Sequence, residues 1–219
     1  MKRALPFMII AGVALIAVGS GAMLYHNKRA RIEGGATVSG MHGMKPEHVR
    51  GAANAPVTLE EFADFQCPSC AMTTLQSIRP MENDFGSRLR VVFWQFPLPN
   101  HKHGREAAIA AEAAGRQGKF WEMHDLLYEK QNDWSKVPDI HPIFESYAEQ
   151  LKLNVERFKK DFESGEVATA VDRQHEQGEA RGVKNTPTIF INGREFPPPF
   201  NPERLHEAID AAMAARKNS

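Results

Sequence analysis

Residues 57–70 read V-T-L-E-E-F-A-D-F-Q-C-P-S-C, and the way this stretch changes its repeat decides the fold. Val57, Leu59, Glu61, Ala63 and Phe65 alternate along one face, which predicts a strand over 57–65. Pro68 suits a first helical position, and Met72, Leu75, Ile78 and Met81 then recur at three- and four-residue steps. That spacing predicts a helix which Pro80 kinks or ends. Cys67 therefore falls where a strand hands over to a helix, at the convergence of unpaired N–H groups and the positive end of the helix dipole. A thiolate is stabilised there, so its pKa falls below the free-thiol value of about 8.5. Cys70, one turn further on, faces inward, positioned to resolve a mixed disulfide on Cys67 by thiol-disulfide exchange. Lowering a thiol pKa three units below ambient pH stabilises the reduced form by ~4 kcal/mol, equivalent to ~90 mV, and makes the pair a stronger oxidant.

Other uses of two cysteines fit less well. A structural disulfide closing so short a loop adds little stability. Zinc normally takes four ligands, and no second cysteine pair or His-x3-5-His follows. Glu61 is the one charged member of an apolar strand face. A core-facing register buries it, raises its pKa and lets it move protons at Cys70, whereas the opposite register exposes it beside Glu60. Asp64, on the other face, reads as a solvated strand-end residue. His101, His103 and His124 read as loop and helix histidines, and no metal site is expected of them. Neither a glycine-rich phosphate loop nor a Gly-x-Ser-x-Gly motif is present.

Further out, Leu89–Phe96 is a nearly continuous apolar strand, suited to burial on both faces. Thr188–Ile191 and a short partner from Arg194 flank Asn192-Gly193, a hairpin signal, and a helix over 202–216 follows. The 91 residues between Phe96 and Thr188 exceed what one crossover helix needs. They carry helical patterns at 105–114, at Phe120/Met123/Leu127, at Ile143/Tyr147/Leu151 and at 155–162. The expected class is α/β, with a helical subdomain inserted at about 100–182.

The chain has 219 residues, 42% hydrophobic and 25% charged, which excludes collagen-like, disordered and polytopic membrane classes. Lys+Arg and Asp+Glu both number 27, so the basic surplus of a nucleic-acid binder is missing. Residues 1–50 hold seven basic and two acidic side chains, leaving the remainder at a net charge of −5. Between Arg3 and His26 lie 22 uncharged residues, long enough to cross a bilayer. Residues 1–26 are thus expected to be either an uncleaved transmembrane anchor or a signal peptide cut after Ser20-x-Ala22. Residues 27–50 are polar and glycine-bearing, without strand or helix periodicity, and read as a flexible linker before a domain at 51–219. Met41, His42, Met44 and His48 in that linker are chemically suited to Cu(I).

Four segments together carry a resemblance: E-F-A-D-F-Q-C-P-S-C (61–70), F-P-L-P (96–99), G-K-F-W-E-M-H-D-L-L (118–127) and N-T-P-T-I-F-I-N-G (185–193). From Gly51 onward the chain resembles DsbA-like thiol-disulfide oxidoreductases of the thioredoxin superfamily, of the exported or membrane-anchored monomer type. The resemblance implies a thioredoxin fold with a helical insertion between its second and third strands. It assigns Cys67 as nucleophile, Cys70 as resolving cysteine, Glu61 as buried acid and Pro187 as a cis-proline opposite the pair. The backbone of Thr186 would pair with an extended substrate, which Pro68 and Ser69 also touch. It further implies no bound cofactor and a location on the extracytoplasmic side of a bacterial envelope. Reduced or unfolded exported proteins are the implied clients, and a membrane redox partner resets the pair. Pro68-Ser69 departs from the Pro-His of the best-known members, and Phe196-Pro197-Pro198-Pro199-Phe200 replaces an expected glycine-bearing turn. A thiol reductase of the envelope is the rival in the same class. A copper-binding protein using Cys67 and Cys70 with the Met/His linker is the rival in another.

Overall fold

The computed structural model describes residues 46–217, so the expected anchor or signal segment, and Met41, His42 and Met44, lie outside the described residues. Among the described residues five strands form one mixed sheet: β1 (His48–Gly51), β2 (Val57–Ala63), β3 (Leu89–Gln95), β4 (Thr188–Ile191) and β5 (Arg194–Phe196). Their spatial order is β1-β3-β2-β4-β5, with β2 and β3 parallel and every other pairing antiparallel. β2 is central and, Thr58 apart, buried on both faces, although it carries Glu60 on one face and Glu61 on the other. Asn192 and Gly193 supply the positive φ angles, 48° and 76°, that a two-residue hairpin between β4 and β5 needs.

The parallel β2–β3 connection is helical. α1 (Pro68–Thr73) runs into a π-helical turn (Thr74–Ile78) and on into α2 (Arg79–Phe85). Pro80 does not end this helix, one of the two outcomes its sequence position predicts. Instead the wider turn comes just before it and the helix continues, since the extra residue relieves the ring's clash and its missing N–H. Ile78 and Met81 are buried as predicted, but Met72 is 58% exposed.

The insertion comprises α3 (Gly104–Gly115), α4 (Phe120–Glu129), α5 (Gln131–Trp134), α6 (His141–Gln150), α7 (Val155–Phe162) and α8 (Gly165–Ala180); α9 (Pro202–Lys217) follows the hairpin. Among the described residues no helix is long and apolar enough to cross a membrane. One apolar cluster joins Ala63 and Phe93 of the sheet, with Phe65 just beyond β2, to the insertion, where Met123, Leu127, Trp134 and Phe144 are buried. A second packs Val57, Leu59 and Ile189 against Ile78, Met81 and Leu205. A third, around Phe62, Trp94, Phe96 and Phe190, occupies the opposite face of the sheet.

Two sequence expectations need correction. The linker read as ending at residue 50 yields its last three residues to β1, which pairs with β3 from His48↔Phe93 to Gly51↔Arg90. Four residues, alternately buried and open, are too short a run to show periodicity. Nor did the sequence announce α8, because its buried positions are Val167, Val171, Gln174 and Gly178, half of them not hydrophobic.

Candidate active site

Cys67 is the N-cap of α1, with extended backbone (φ −74°, ψ 118°), and Pro68 opens the helix. Its neighbours Pro68 and Ser69 are exposed, whereas Cys70 is completely buried. Both cysteines are free thiols. The Cys67 sulfur lies 3.0 Å from Ser69 Oγ and 3.6 Å from the carbonyl oxygen of Thr186. Ser69 Oγ donates to that same carbonyl at 3.5 Å. The Thr186–Pro187 bond is cis, as expected, and both residues are half-buried beside the cysteine pair.

The two thiols are driven apart in acidity. Hydrogen bonding from the Cys70 thiol is the largest influence on Cys67 and holds its pKa at about 4 against the opposing effect of burial. The Ser69 hydroxyl, Thr186 and the Cys70 amide act in the same direction. Burial pushes Cys70 well above the ordinary thiol range, and the neighbouring Cys67 and Glu61 push it further. The sequence predicted an acidic Cys67, but from the helix end alone. The backbone amide proves a lesser influence than the partner thiol.

Glu61 is 1% exposed on the face of β2 that carries Leu59 and Ala63. Desolvation raises its pKa to about 8; the Thr74 hydroxyl, donating to both oxygens at 3.2 and 3.3 Å, works against the rise. The alternative register is thus excluded, and Glu60 is buried as well, held by Arg181 at 2.7 and 3.2 Å and by Trp94 Nε1 at 3.1 Å. Asp64, read as solvated, is in fact 1% exposed. Its carboxylate accepts bonds from the Gln66 and Leu98 amides and from His101 Nδ1, each at 2.7 Å. Thr74, Asp64 and His101 carried no signal as site residues, since their partners are up to 37 positions away.

Among the described residues one group, Glu47, His48 and Glu112, brings potential metal-ligand atoms within 4.8 Å of one another. His48 Nε2 meets the Glu112 carboxylate at 2.8 and 2.9 Å, and Gln95 and Gln174 donate to the same carboxylate at 3.2 and 2.9 Å. His48, read as a linker residue, is 8% exposed inside the fold. A cleft of about 520 Å³ beside this group is lined by Arg116, Trp121 and Arg173 but by neither cysteine.

Fold and site together define a thioredoxin-fold protein with a Cys-x-x-Cys pair facing a cis-proline. The chain belongs to the thioredoxin family, whose sequence profile ("Thioredoxin") matches residues 44–211, and its fold is DsbA-like. Oxidised BdbD from Bacillus subtilis is 26% identical, with a TM-score of 0.68 over 76% of this chain and 92% of BdbD. MdbA of Corynebacterium diphtheriae, described as a thiol-disulfide oxidoreductase, shares the fold at 22% identity, with a TM-score of 0.60 over 73% and 88% of the two chains. Among curated proteins, "Na(+)/H(+) antiporter NhaA 3" of Salinispora tropica is 36% identical over 202 residues, covering 90% of this chain. The chain spans only 30% of that relative's length, and 25% of a second antiporter, from Salinispora arenicola, at 37% identity.

Proposed function

We propose that this chain is a protein thiol-disulfide oxidoreductase working as an oxidase on exported proteins. The observation that carries the reading is the opposed acidity of two neighbouring thiols: Cys67, 6% exposed beside the exposed Pro68 and Ser69, at about 4, and Cys70, completely buried, far above the ordinary range. In the disulfide form of the pair, a client thiolate attacks the Cys67 sulfur. The Cys67–Cys70 bond breaks, a client–Cys67 bond forms, and the Cys70 sulfur leaves with the electron pair and takes a proton from Glu61. A second client thiolate then attacks the client sulfur. Cys67 departs as a thiolate already stable at neutral pH, and low-pKa thiols leave fastest. The client gains one disulfide, and the pair is left with two more electrons. An external disulfide carrier at the membrane restores it. The exposed Pro68 and Ser69, with the Thr186 backbone, form the contact with an extended client. Disulfides persist on the extracytoplasmic side, in keeping with the uncharged segment over 4–25 as an export signal or anchor.

The test is the equilibrium of the Cys67–Cys70 pair with glutathione, together with oxidation of a reduced dithiol peptide. An oxidase gives a potential nearer about −120 mV than about −270 mV. Cys67→Ser abolishes peptide oxidation, and Cys70→Ala, offered oxidised glutathione, accumulates a Cys67–glutathione mixed disulfide as a glutathione thiolate leaves. A potential near the lower value, with Cys67 ionising like a free thiol, overturns the proposal in favour of a reductase. Stoichiometric Cu(I) on the reduced protein, lost on removing residues 37–50, would favour the copper reading instead.

A further inference from the structure

The exchange chemistry makes no use of one buried charged group, the carboxylate of Asp64, which stands three positions before Cys67 and has no exposed side-chain surface. A turn at a strand end needs one side-chain acceptor, and Asn or Ser supplies it without the cost of burying a charge. Asp64 does more. One oxygen accepts the Gln66 amide; the other accepts the Leu98 amide and His101 Nδ1, while the Asp64 carbonyl receives the Cys67 amide at 3.1 Å. Gly104 closes over the carboxylate so tightly that an added methyl would meet Oδ1 at 2.6 Å.

The rest of the loop is held in the same way, from the same side. Gln66 receives the His103 amide at 2.5 Å and donates to the Ser135 carbonyl at 2.7 Å. Gln131, itself buried, donates to the carbonyls of Phe65 at 2.7 Å and Cys67 at 3.0 Å. All four residues from Asp64 to Cys67 are thus fastened by polar groups that lie between Leu98 and Ser135, on the sequence that follows β3.

We infer that Asp64, oriented by His101, is a positioning residue for Cys67: it locks the 64–67 loop to the helical insertion so that the Cys67 sulfur stays within reach of the Cys70 thiol and the Ser69 hydroxyl. The insertion is then part of the nucleophile's support. This builds on the exchange reading, since it gives Asp64 and His101 a role in keeping Cys67 ionised.

The sign of the effect separates this role from simple electrostatics. Deleting a nearby negative charge would by itself make Cys67 more acidic, whereas loosening the loop takes the sulfur away from its donors and makes it less acidic. The experiment follows thiolate ultraviolet absorbance against pH in the full reduced chain, with the glutathione equilibrium and thermal unfolding alongside. Asp64→Asn and His101→Leu are expected to raise the Cys67 pKa by about one unit, a roughly tenfold shift in the thiol–thiolate equilibrium. His101→Gln, which can still donate to Asp64, stays within about threefold of the wild type. The inference is overturned if Asp64→Asn makes Cys67 more acidic, if His101→Gln and His101→Leu behave alike, or if only the unfolding temperature changes. Should Asp64→Asn fail to fold, the two variants at the partly exposed His101 decide the matter. A wild-type Cys67 that ionises like a free thiol sinks the exchange reading itself, whereas an acidic wild type with unshifted variants sinks only the positioning role.

Discussion

Glu60 and Glu61 are consecutive on β2, equally buried, and opposite in their surroundings. Glu60, on the face covered by the end of α8, is met by the Arg181 guanidinium and the Trp94 indole N–H. Arg181 also stacks over Phe62 at 5.0 Å and Phe190 at 4.3 Å, so the pair is packed as well as neutralised. Glu61, on the other face, finds one threonine hydroxyl and no cation among the described residues, and keeps its proton to about pH 8. Burial alone therefore does not make an acid chemically useful. What separates a structural carboxylate from one able to trade protons near neutrality is whether the fold supplies a counter-charge.

The contrast can be broken most visibly through pH. Glu61 ionises at about 8 in the fold, against 4.5 for an ordinary glutamate side chain such as the unfolded chain presents. Folding therefore holds a proton that the unfolded chain releases, and the wild type should lose stability steadily as pH rises from 4.5 to 8. Relative to Glu61→Gln the loss should reach on the order of 4 kcal/mol at pH 8 and above and vanish below the unfolded value. Urea unfolding of both proteins across that range measures it, and parallel curves would mean Glu61 carries no such proton.

Glu60 should behave in the opposite sense. Glu60→Gln strands the half-buried Arg181 and is expected to cost about 2 kcal/mol of unfolding free energy at pH 7. Peptide oxidation per folded molecule should be unchanged, as measured on protein whose folded fraction is checked by circular dichroism. In single-turnover quench measurements, Glu61→Gln should slow formation of the client–Cys67 mixed disulfide, the step in which Cys70 leaves and takes the Glu61 proton, by about a hundredfold, a normal contribution for a positioned acid–base group. Equal effects of the two substitutions on that step would dissolve the distinction between the faces. The smallest effect belongs to Thr74→Val. Removing the one hydroxyl that favours the Glu61 carboxylate should move its titration further up and cost about 1 kcal/mol at alkaline pH, as read by difference infrared titration of the carboxyl band.

Much of this arrangement was legible in the chain. The change from a two-residue to a three- and four-residue repeat placed Cys67 at the strand–helix junction, and the apolar neighbours of Glu61 marked it as core-facing. Asn192-Gly193 fixed the hairpin. The parts that were not legible share a cause. β1 is too short to show a period, and α8 buries Gln174 and Gly178 where a pattern reader expects apolar side chains. Asp64 looked solvated because the three groups that bury it come from its own turn and from residues 98 and 101. Met72 has helical spacing but is left uncovered, since spacing specifies a face and only packing decides whether something lies against it.

The amino-acid order by itself determined the backbone at the cysteine pair and the inward direction of Cys70 and Glu61, because repeat, proline and glycine preferences act within a few residues. The tertiary structure alone decided how those groups ionise. Thr186 reaches Cys67 across 119 positions and Arg181 reaches Glu60 across 121, and electrostatic partners depend on proximity in space, on which local patterns carry no information.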